Sequence, residues 1–143
     1  MKQFLAMITP LAEGEYPGNN PGAPGASRPI AITGPIIKAG ESLSNGLDLT
    51  QGDLLKIIMP VGWTPASLSF QLSPDGNQYH DLFYLTGFEV TMPTVVPDTV
   101  VIISYDVGRA ISWIKLRSGT RDNPISQKED RVFSVVISTY TGK

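Results

Sequence analysis

Glycine and proline interrupt this chain so often that a long helix cannot form. The 143 residues include 14 glycines and 12 prolines, and no window of useful length keeps apolar residues at helical spacing without one of them. Proline removes a backbone donor, and glycine loses conformational entropy in a helix. We therefore predict almost no helix, and leave open only a single turn over 123–130.

After Pro29, short segments rich in β-branched and aromatic residues alternate with Gly, Pro, Asn and Asp. This spacing is typical of an antiparallel β-sandwich or a barrel, and we count eight or nine strands. The fold class is therefore predicted to be all-β. The predicted strands are 30–38, 42–49, 53–59, 66–73, 78–85, 87–92, 98–106, 111–118 and 131–140.

The clearest predicted strand is 66–73, whose side chains alternate between apolar and polar residues. This alternation gives one core face, formed by Leu68, Phe70 and Leu72. The turn that follows has a proline with a preset φ and an Asp-Gly pair, in the sequence Ser73-Pro74-Asp75-Gly76-Asn77. We expect strands 66–73 and 78–85 to form a hairpin.

The first 29 residues differ from the rest of the chain. Residues 14–29 combine prolines and glycines with almost no apolar side chains, which is typical of an extended connector. We divide the chain into an extended N-terminal arm, 1–29, and a β-sandwich domain, 30–143. The arm also has apolar residues, and we expect five of its side chains to bind a partner, with a frayed terminus as the alternative: Phe4, Leu5, Met7, Ile8 and Tyr16.

Composition disfavours several classes of function. The formal net charge is −2, so the chain lacks the basic field that binds nucleic acid. It has no cysteine, which excludes disulfides, thiolate nucleophiles and Cys-ligated zinc. We expect that the N-terminus is not a signal peptide, because Thr9-Pro10 ends its apolar stretch. No apolar run approaches the ~20 residues that span a bilayer.

No catalytic motif is visible in the sequence. His80 is the one histidine, and its place after the Asp-Gly turn favours a solvated side chain over a Ser-His-Asp arrangement. The acidic residues are scattered and form no calcium-loop motif, although a surface calcium site built partly from backbone carbonyls stays open. We predict a protein that is not an enzyme and that needs no cofactor or metal.

Two loops are candidates for a ligand site or an interface. Trp63 lies between predicted strands and is the best candidate for an exposed aromatic contact, with packing as the alternative. Residues 117–131 form the most polar long connection, which we interpret as a structural cap or a ligand loop. Its candidate residues are Arg121, Asp122 and Gln127; we expect local ion pairs within Arg121-Asp122 and Asp130-Arg131, and backbone hydrogen bonds from Gln127.

Residues 63–82 and 111–137 together carry a resemblance. The first contains the hairpin sequence Ser73-Pro74-Asp75-Gly76, and the second contains Trp113-Ile114-Lys115-Leu116-Arg117. These segments resemble discoidin-like, galactose-binding-like jelly rolls and, with a Pro/Gly-rich leader before them, small virion proteins of tailed bacteriophages and prophages. The resemblance implies a jelly-roll sandwich in a phage particle. The sugar-binding loop residues of the jelly-roll group have no match here.

The function that the resemblance implies is structural. We expect a capsid decoration, or cement, protein of the virion, made in the host bacterial cytoplasm, whose arm docks on the major capsid protein or other virion proteins. It would be a homo-oligomer or bound to a lattice, with neither nucleic acid nor membrane as a partner. A neck, tail, baseplate or head-fibre anchoring role is one alternative. A carbohydrate- or receptor-binding module is another.

Deleting residues 1–25 should leave a folded domain that no longer assembles onto a particle, because the arm holds the predicted docking residues. Circular dichroism and thermal unfolding check the fold, and cosedimentation with particles checks assembly. Unfolding of the truncated protein would mean that the arm is a core strand and that the proposed division of the chain is wrong.

Overall fold

The protein is an all-β sandwich of two antiparallel sheets, as the sequence predicts. The computed structural model describes residues 27–109 and 112–140. In chain order the elements are β1 Ser27–Ile37, β2 Leu47–Asp48, β3 Gly52–Ile58, β4 Ala66–Ser73, β5 His80–Asp81, β6 Thr91–Val95, β7 Val100–Ile102, α1 Tyr105–Arg109, β8 Trp113–Ser118 and β9 Arg131–Tyr140.

The chain crosses repeatedly between the two sheets. The first sheet has the strand order β1-β9-β3-β7, so the two ends of the domain pair with each other. The second sheet has the order β2-β8-β4-β5, and β6 also pairs with β4. Most of the predicted arm, and with it Phe4, Leu5, Met7, Ile8 and Tyr16, lies outside the described residues.

The core fills the space between the sheets with the inward residues of alternating strands. Phe70 and Leu68 on β4 face Phe133 and Val135 on β9, and all four are fully buried. Burial of large apolar side chains on both inner faces is what holds a sandwich closed. The alternation read along β4 and β9 therefore predicted the core faces of these strands correctly.

The predicted hairpin is confirmed by the pairing of β4 with β5. Leu72 lies opposite His80, and Gln71 lies opposite Asp81. In the turn, the Ser73 hydroxyl accepts a hydrogen bond from the Gly76 backbone N–H at 2.8 Å. Gly76 has a φ of +80°, which favours glycine at this position.

Predicted strands 66–73 and 131–140 match β4 and β9, but others were displaced or too long, and the strand predicted at 87–92 is β6, Thr91–Val95. The predicted strand 78–85 is only His80–Asp81, and 42–49 is Leu47–Asp48 with an isolated bridge at Leu43. The other residues of these two segments lie in loops, and some of them form backbone hydrogen bonds with strands elsewhere in the domain.

One predicted strand is confirmed only in its middle part. Of the segment 98–106, Val100–Ile102 forms β7, but α1 begins at Tyr105 and runs to Arg109. The Ser104 carbonyl accepts hydrogen bonds from the backbone N–H groups of Val107 and Gly108. Gly108 lies so close to the Leu54 carbonyl that a Cβ atom would not fit. The β-branched residues therefore form the expected strand, and tertiary packing favours a helix directly after them. The turn left open over 123–130 is not helical.

Phe70→Ala should lower the free energy of unfolding by about 3–5 kcal/mol, because it leaves a cavity in a fully buried site. Phe88→Ala is the matched control, since Phe88 is 74% exposed and should change stability by about 0.5 kcal/mol or less. Urea unfolding of both variants measures the difference. Equal values would mean that β4 faces the other way.

Candidate functional site

Residues 82–90 form a short hairpin that projects from the second sheet. The backbone N–H of Tyr84 donates to the Phe88 carbonyl at 2.8 Å, and Gly87 N–H donates to the Tyr84 carbonyl at 2.9 Å. Gly87 has a φ of +96°, so the loop closes through a conformation that other residues adopt at a cost. The loop therefore has a defined shape.

Four large apolar side chains at the end of this hairpin are exposed to solvent. We call them the aromatic tip, and their exposed fractions are 43% for Phe83, 52% for Tyr84, 105% for Leu85 and 74% for Phe88. The sequence places these residues in the predicted strands 78–85 and 87–92, and the structure corrects this by placing them on a loop between β5 and β6. Contiguous exposed apolar residues on a soluble domain mark an interaction surface more often than isolated ones do.

The base of the hairpin is fixed to the core. The Leu82 N–H donates to the Phe70 carbonyl at 3.2 Å, and Val90 N–H donates to the Leu82 carbonyl at 2.9 Å. Val90 is buried, and Leu82 packs against the core cluster. The aromatic tip is therefore held on a rigid support.

A group of ionised side chains, the charged cluster, holds the same hairpin from the outer face of the second sheet: Asp81, Glu89, Arg117 and Arg121. The Arg117 guanidinium is 2.7 Å from the Asp81 carboxylate through Nη1 and 2.5 Å from Glu89 through Nη2. Its Nε donates to the Ser69 hydroxyl at 3.0 Å. Ser69, predicted on the solvated face, is buried for this reason.

Arg121 completes the charged cluster. Its Nε lies 3.2 Å from the second oxygen of Asp81, and its backbone N–H donates to Glu89 at 3.1 Å. The predicted ion pair of Arg121 with Asp122 is not among the ion pairs of the described residues, and Asp122 is exposed. Adjacency in the sequence suggested a local pair, whereas the ion-pair partner of Arg121 is Asp81 on β5.

The environment of Asp81 changes its ionisation. Burial of the carboxyl by itself raises the pKa of Asp81, but hydrogen bonds from Arg117 and Gln71 and the charges of Arg117 and Arg121 together outweigh it. The pKa therefore lies below its ordinary value. The ionised form is the one that the charged cluster stabilises.

The predicted loop residue Gln127 is buried and connects three parts of the chain. Its Oε1 accepts from Thr64 N–H at 2.9 Å and from Arg131 Nε at 3.0 Å, while its Nε2 donates to the Ser118 hydroxyl at 2.8 Å. The expected pair of Asp130 with Arg131 is replaced, since Asp130 accepts from Ala39 N–H. These contacts are those of a structural cap.

Trp63 is buried rather than exposed. Its side chain is 2% exposed and lies edge to face with Phe133, with 5.6 Å between ring centroids. The expected exposed contact at this position is therefore corrected to core packing. An aromatic ring that is enclosed in this way presents no surface to a ligand.

His80 is exposed and lies beside a shallow cavity of about 300 Å³ with Ser73, Asp81 and Ser112. The hydroxyl of Ser73 is engaged by the turn, and the Asp81 carboxylate is engaged by the two arginines. Within residues 27–109 and 112–140, no group of three His, Asp or Glu side chains is placed to hold a metal ion.

Comparison of the chain with protein-family models, with curated proteins and with solved structures found no match. Among the described residues, no helix is long and apolar enough to cross a membrane. The candidate site is therefore defined by its geometry: an aromatic tip on a hairpin whose base is fixed by buried ion pairs.

Asp81→Asn should flatten the dependence of stability on pH in acid. Because the pKa of Asp81 is lowered in the folded state, its stabilisation is complete above the unfolded pKa of about 3.9 and is lost as pH falls through the folded pKa. The variant should be less stable than the original chain at pH 7, and the gap should close as the pH approaches about 2.

Urea unfolding at a series of pH values measures this effect. Asp48 and Asp75 keep some acid sensitivity in the variant, because backbone hydrogen bonds lower their pKa values as well. A constant gap between the two proteins across the acid range would mean that folding does not lower the pKa of Asp81.

Proposed function

We propose that this chain is a non-enzymatic structural protein that attaches to a larger protein assembly. The resemblance of residues 63–82 and 111–137 to phage virion proteins supports a specific form of the proposal, a capsid decoration protein. The observation that carries the binding role is the exposed aromatic tip on its fixed hairpin.

Physical properties of the aromatic tip suit protein binding. Aromatic side chains supply large contact areas with few rotatable bonds, so little entropy is lost when they are immobilised. A tip that is already ordered by the Tyr84 and Phe88 backbone contacts lowers this cost further. Such anchors usually dominate the binding energy when they enter a pocket of the partner.

The charged cluster next to the tip supports the hairpin rather than reacting with a substrate. Arg117 pairs with Asp81 and Glu89 at 2.7 and 2.5 Å, and its side chain is only 7% exposed. With Arg121 beside Asp81, the two positive and two negative charges of the cluster balance. A buried guanidinium is stable only while its carboxylate partners remain beside it. The arrangement therefore fixes the hairpin and offers few free ionised groups for catalysis.

The predicted arm provides a second contact in this proposal. Its apolar residues Phe4, Leu5, Met7 and Ile8, and its Tyr16, would lie on neighbouring subunits of the particle, while the aromatic tip enters a pocket. Two weak contacts on one chain, repeated over a lattice, give a much tighter association than either contact alone. A position at the neck, tail, baseplate or head fibre would use the same two contacts.

A carbohydrate- or receptor-binding module is the second candidate. It is favoured by the exposed rings of Tyr84 and Phe88, since aromatic faces also stack on sugars. The burial of Trp63 and Gln127 weighs against a sugar site in their loops, so this candidate too would depend on the aromatic tip.

The double variant Leu85→Ser, Phe88→Ser should bind particles at least about 30-fold more weakly, the effect of losing a hot spot of about 2 kcal/mol. Its thermal stability should be unchanged, because both side chains are exposed. The measurement is cosedimentation of the purified protein with particles that lack it. Val61→Ser is the matched control, since Val61 is another exposed apolar residue, at 76%.

Two outcomes would contradict the proposal. Unchanged particle binding by the double variant would remove the aromatic tip from the interface. Saturable binding of the original chain to a glycan array, with no association with particles, would favour the carbohydrate-binding candidate. Cross-links from the tip to the major capsid protein would identify decoration, and cross-links to tail or fibre proteins would identify the other virion positions.

A further inference from the structure

The two sheets of the sandwich have very different outer faces. On the second sheet, outward positions of β4 and β8 are polar: Ser69 lies opposite Arg117 within the charged cluster, and Gln71 lies opposite Lys115, where both side chains are partly exposed. Polar residues at the outward positions are normal for an antiparallel sheet that has its core on one side. On the first sheet, polar residues such as Lys56 and Ser134 also lie at outward positions, but large aliphatic side chains lie beside them.

On the first sheet, the outward positions can be read from the strand register, because directly paired residues share a face. Val132 lies opposite Ile36, and Val136 lies between Ala31 and Lys56. Ile58 and Val100 pair with each other, and Ile102 pairs with Lys56. We call six of these residues the apolar outer face: Ile36, Ile58, Val100, Ile102, Val132 and Val136.

Much of the apolar outer face is open to solvent. The exposed fractions are 57% for Val100, 75% for Ile102 and 45% for Val132, and the other three residues are partly exposed. The inner positions of the same strands, such as Ile57 and Val135, are fully buried. Strands that are apolar on both faces are typical of sheets that are covered on both sides.

The chain itself contains a segment that fits this surface. Residues before Ser27 join the domain at the start of β1, which is an edge strand of the first sheet. Residues 4–8 include four large apolar side chains, and residues 9–26 connect this segment to the domain: Phe4, Leu5, Met7 and Ile8. The attachment point therefore lies at the rim of the surface that needs a cover.

The connecting segment is long enough for this. The four strands of the first sheet span about 14 Å at the usual spacing. A connector of 18 residues has a root-mean-square span of about 23 Å as a flexible chain and reaches at most about 60 Å. Because the span of the connector is comparable to the width of the first sheet, the effective concentration of the apolar segment at that sheet is near millimolar.

We infer that, in the free protein, the segment Phe4–Ile8 docks on the apolar outer face of its own chain. Docking removes the exposed side chains of Ile102, Val100 and Val132 from water, and the connector keeps the segment near them. This goes beyond the proposed attachment to an assembly, because it concerns the protein before it meets any partner.

A spin label tests the inference directly, since the chain has no cysteine and Ala6→Cys gives a single attachment site. The label at position 6 should cause loss of the NMR methyl signals of Ile58, Ile102 and Val136. The methyl signals of Val90 and Met92, which belong to the second sheet and its hairpin, should persist. A label at Asn20→Cys, in the connector, is the matched control and should cause less loss.

Mixing distinguishes the same chain from a second copy. Spin-labelled protein without isotopes is mixed with isotope-labelled protein without a spin label. Signal loss only within one molecule supports the inference, whereas signal loss in the mixture would mean that the segment covers a neighbouring copy and would overturn it. Adding Leu5→Asp to the labelled chain should restore the methyl signals.

Persistence of the face signals in the Ala6→Cys protein would also overturn the inference. The result is separable from the proposed function, because the experiment uses the isolated chain with its aromatic tip intact. A chain that binds particles through the tip but shows no signal loss would retain the function and lose the inference. A chain that shows the signal loss but does not bind particles through the tip would retain the inference and lose the proposed function.

Discussion

The buried guanidinium of Arg117 is the interaction on which the candidate site depends. It extends from β8 and joins β4 through Ser69, β5 through Asp81 and the hairpin 82–90 through Glu89. An unpaired charge in such a position costs several kcal/mol, so the two carboxylates must stay where they are. The ion pairs therefore hold the outer side of the hairpin, while Val90 and Leu82 fix its base to the core. The position of the aromatic tip depends on both supports, because its own side chains are exposed and pack on little.

Those parts of the fold with a strong local pattern were predictable from the sequence. In β4 and β9 the alternation of side chains fixes which residues face the core, and in the turn Ser73 to Asn77 the Pro-Asp-Gly sequence fixes the hairpin. The segment 98–106 shows the limit of this reasoning. Its β-branched residues form β7 as expected, but the chain enters α1 at Tyr105, and Gly108 makes a close contact with the Leu54 carbonyl that only the folded sandwich creates. The helix depends on distant residues, so local propensity does not reveal where the strand ends.

The candidate site was harder to predict because its contacts are not local. Asp81 and Arg117 are 36 positions apart, and no spacing rule connects them. Charges that are adjacent in the sequence, at Arg121 and Asp122, suggested the wrong partner for the same reason. The aromatic tip had a weak signal in the sequence, since Gly87 between Thr86 and Phe88 marks a tight turn inside a segment that otherwise resembles a strand. Reading that glycine as a turn would have put Tyr84 and Phe88 on a loop instead of in the core.

The domain has two exposed apolar surfaces, and their shapes suit different kinds of binding partner. The aromatic tip is narrow and projects from a fixed support, so it suits a pocket in another molecule, where a few rings supply most of the binding energy. The apolar outer face is flat and aliphatic, with branched side chains of Ile102, Val100 and Val132 that are already stiff. A flat surface of this kind is best covered by an extended segment or another sheet. Because the chain has its own apolar segment connected at the edge of that sheet, the segment can cover the face in the free protein, before the arm contacts neighbouring subunits. In that state the tip is the exposed apolar surface that needs a partner.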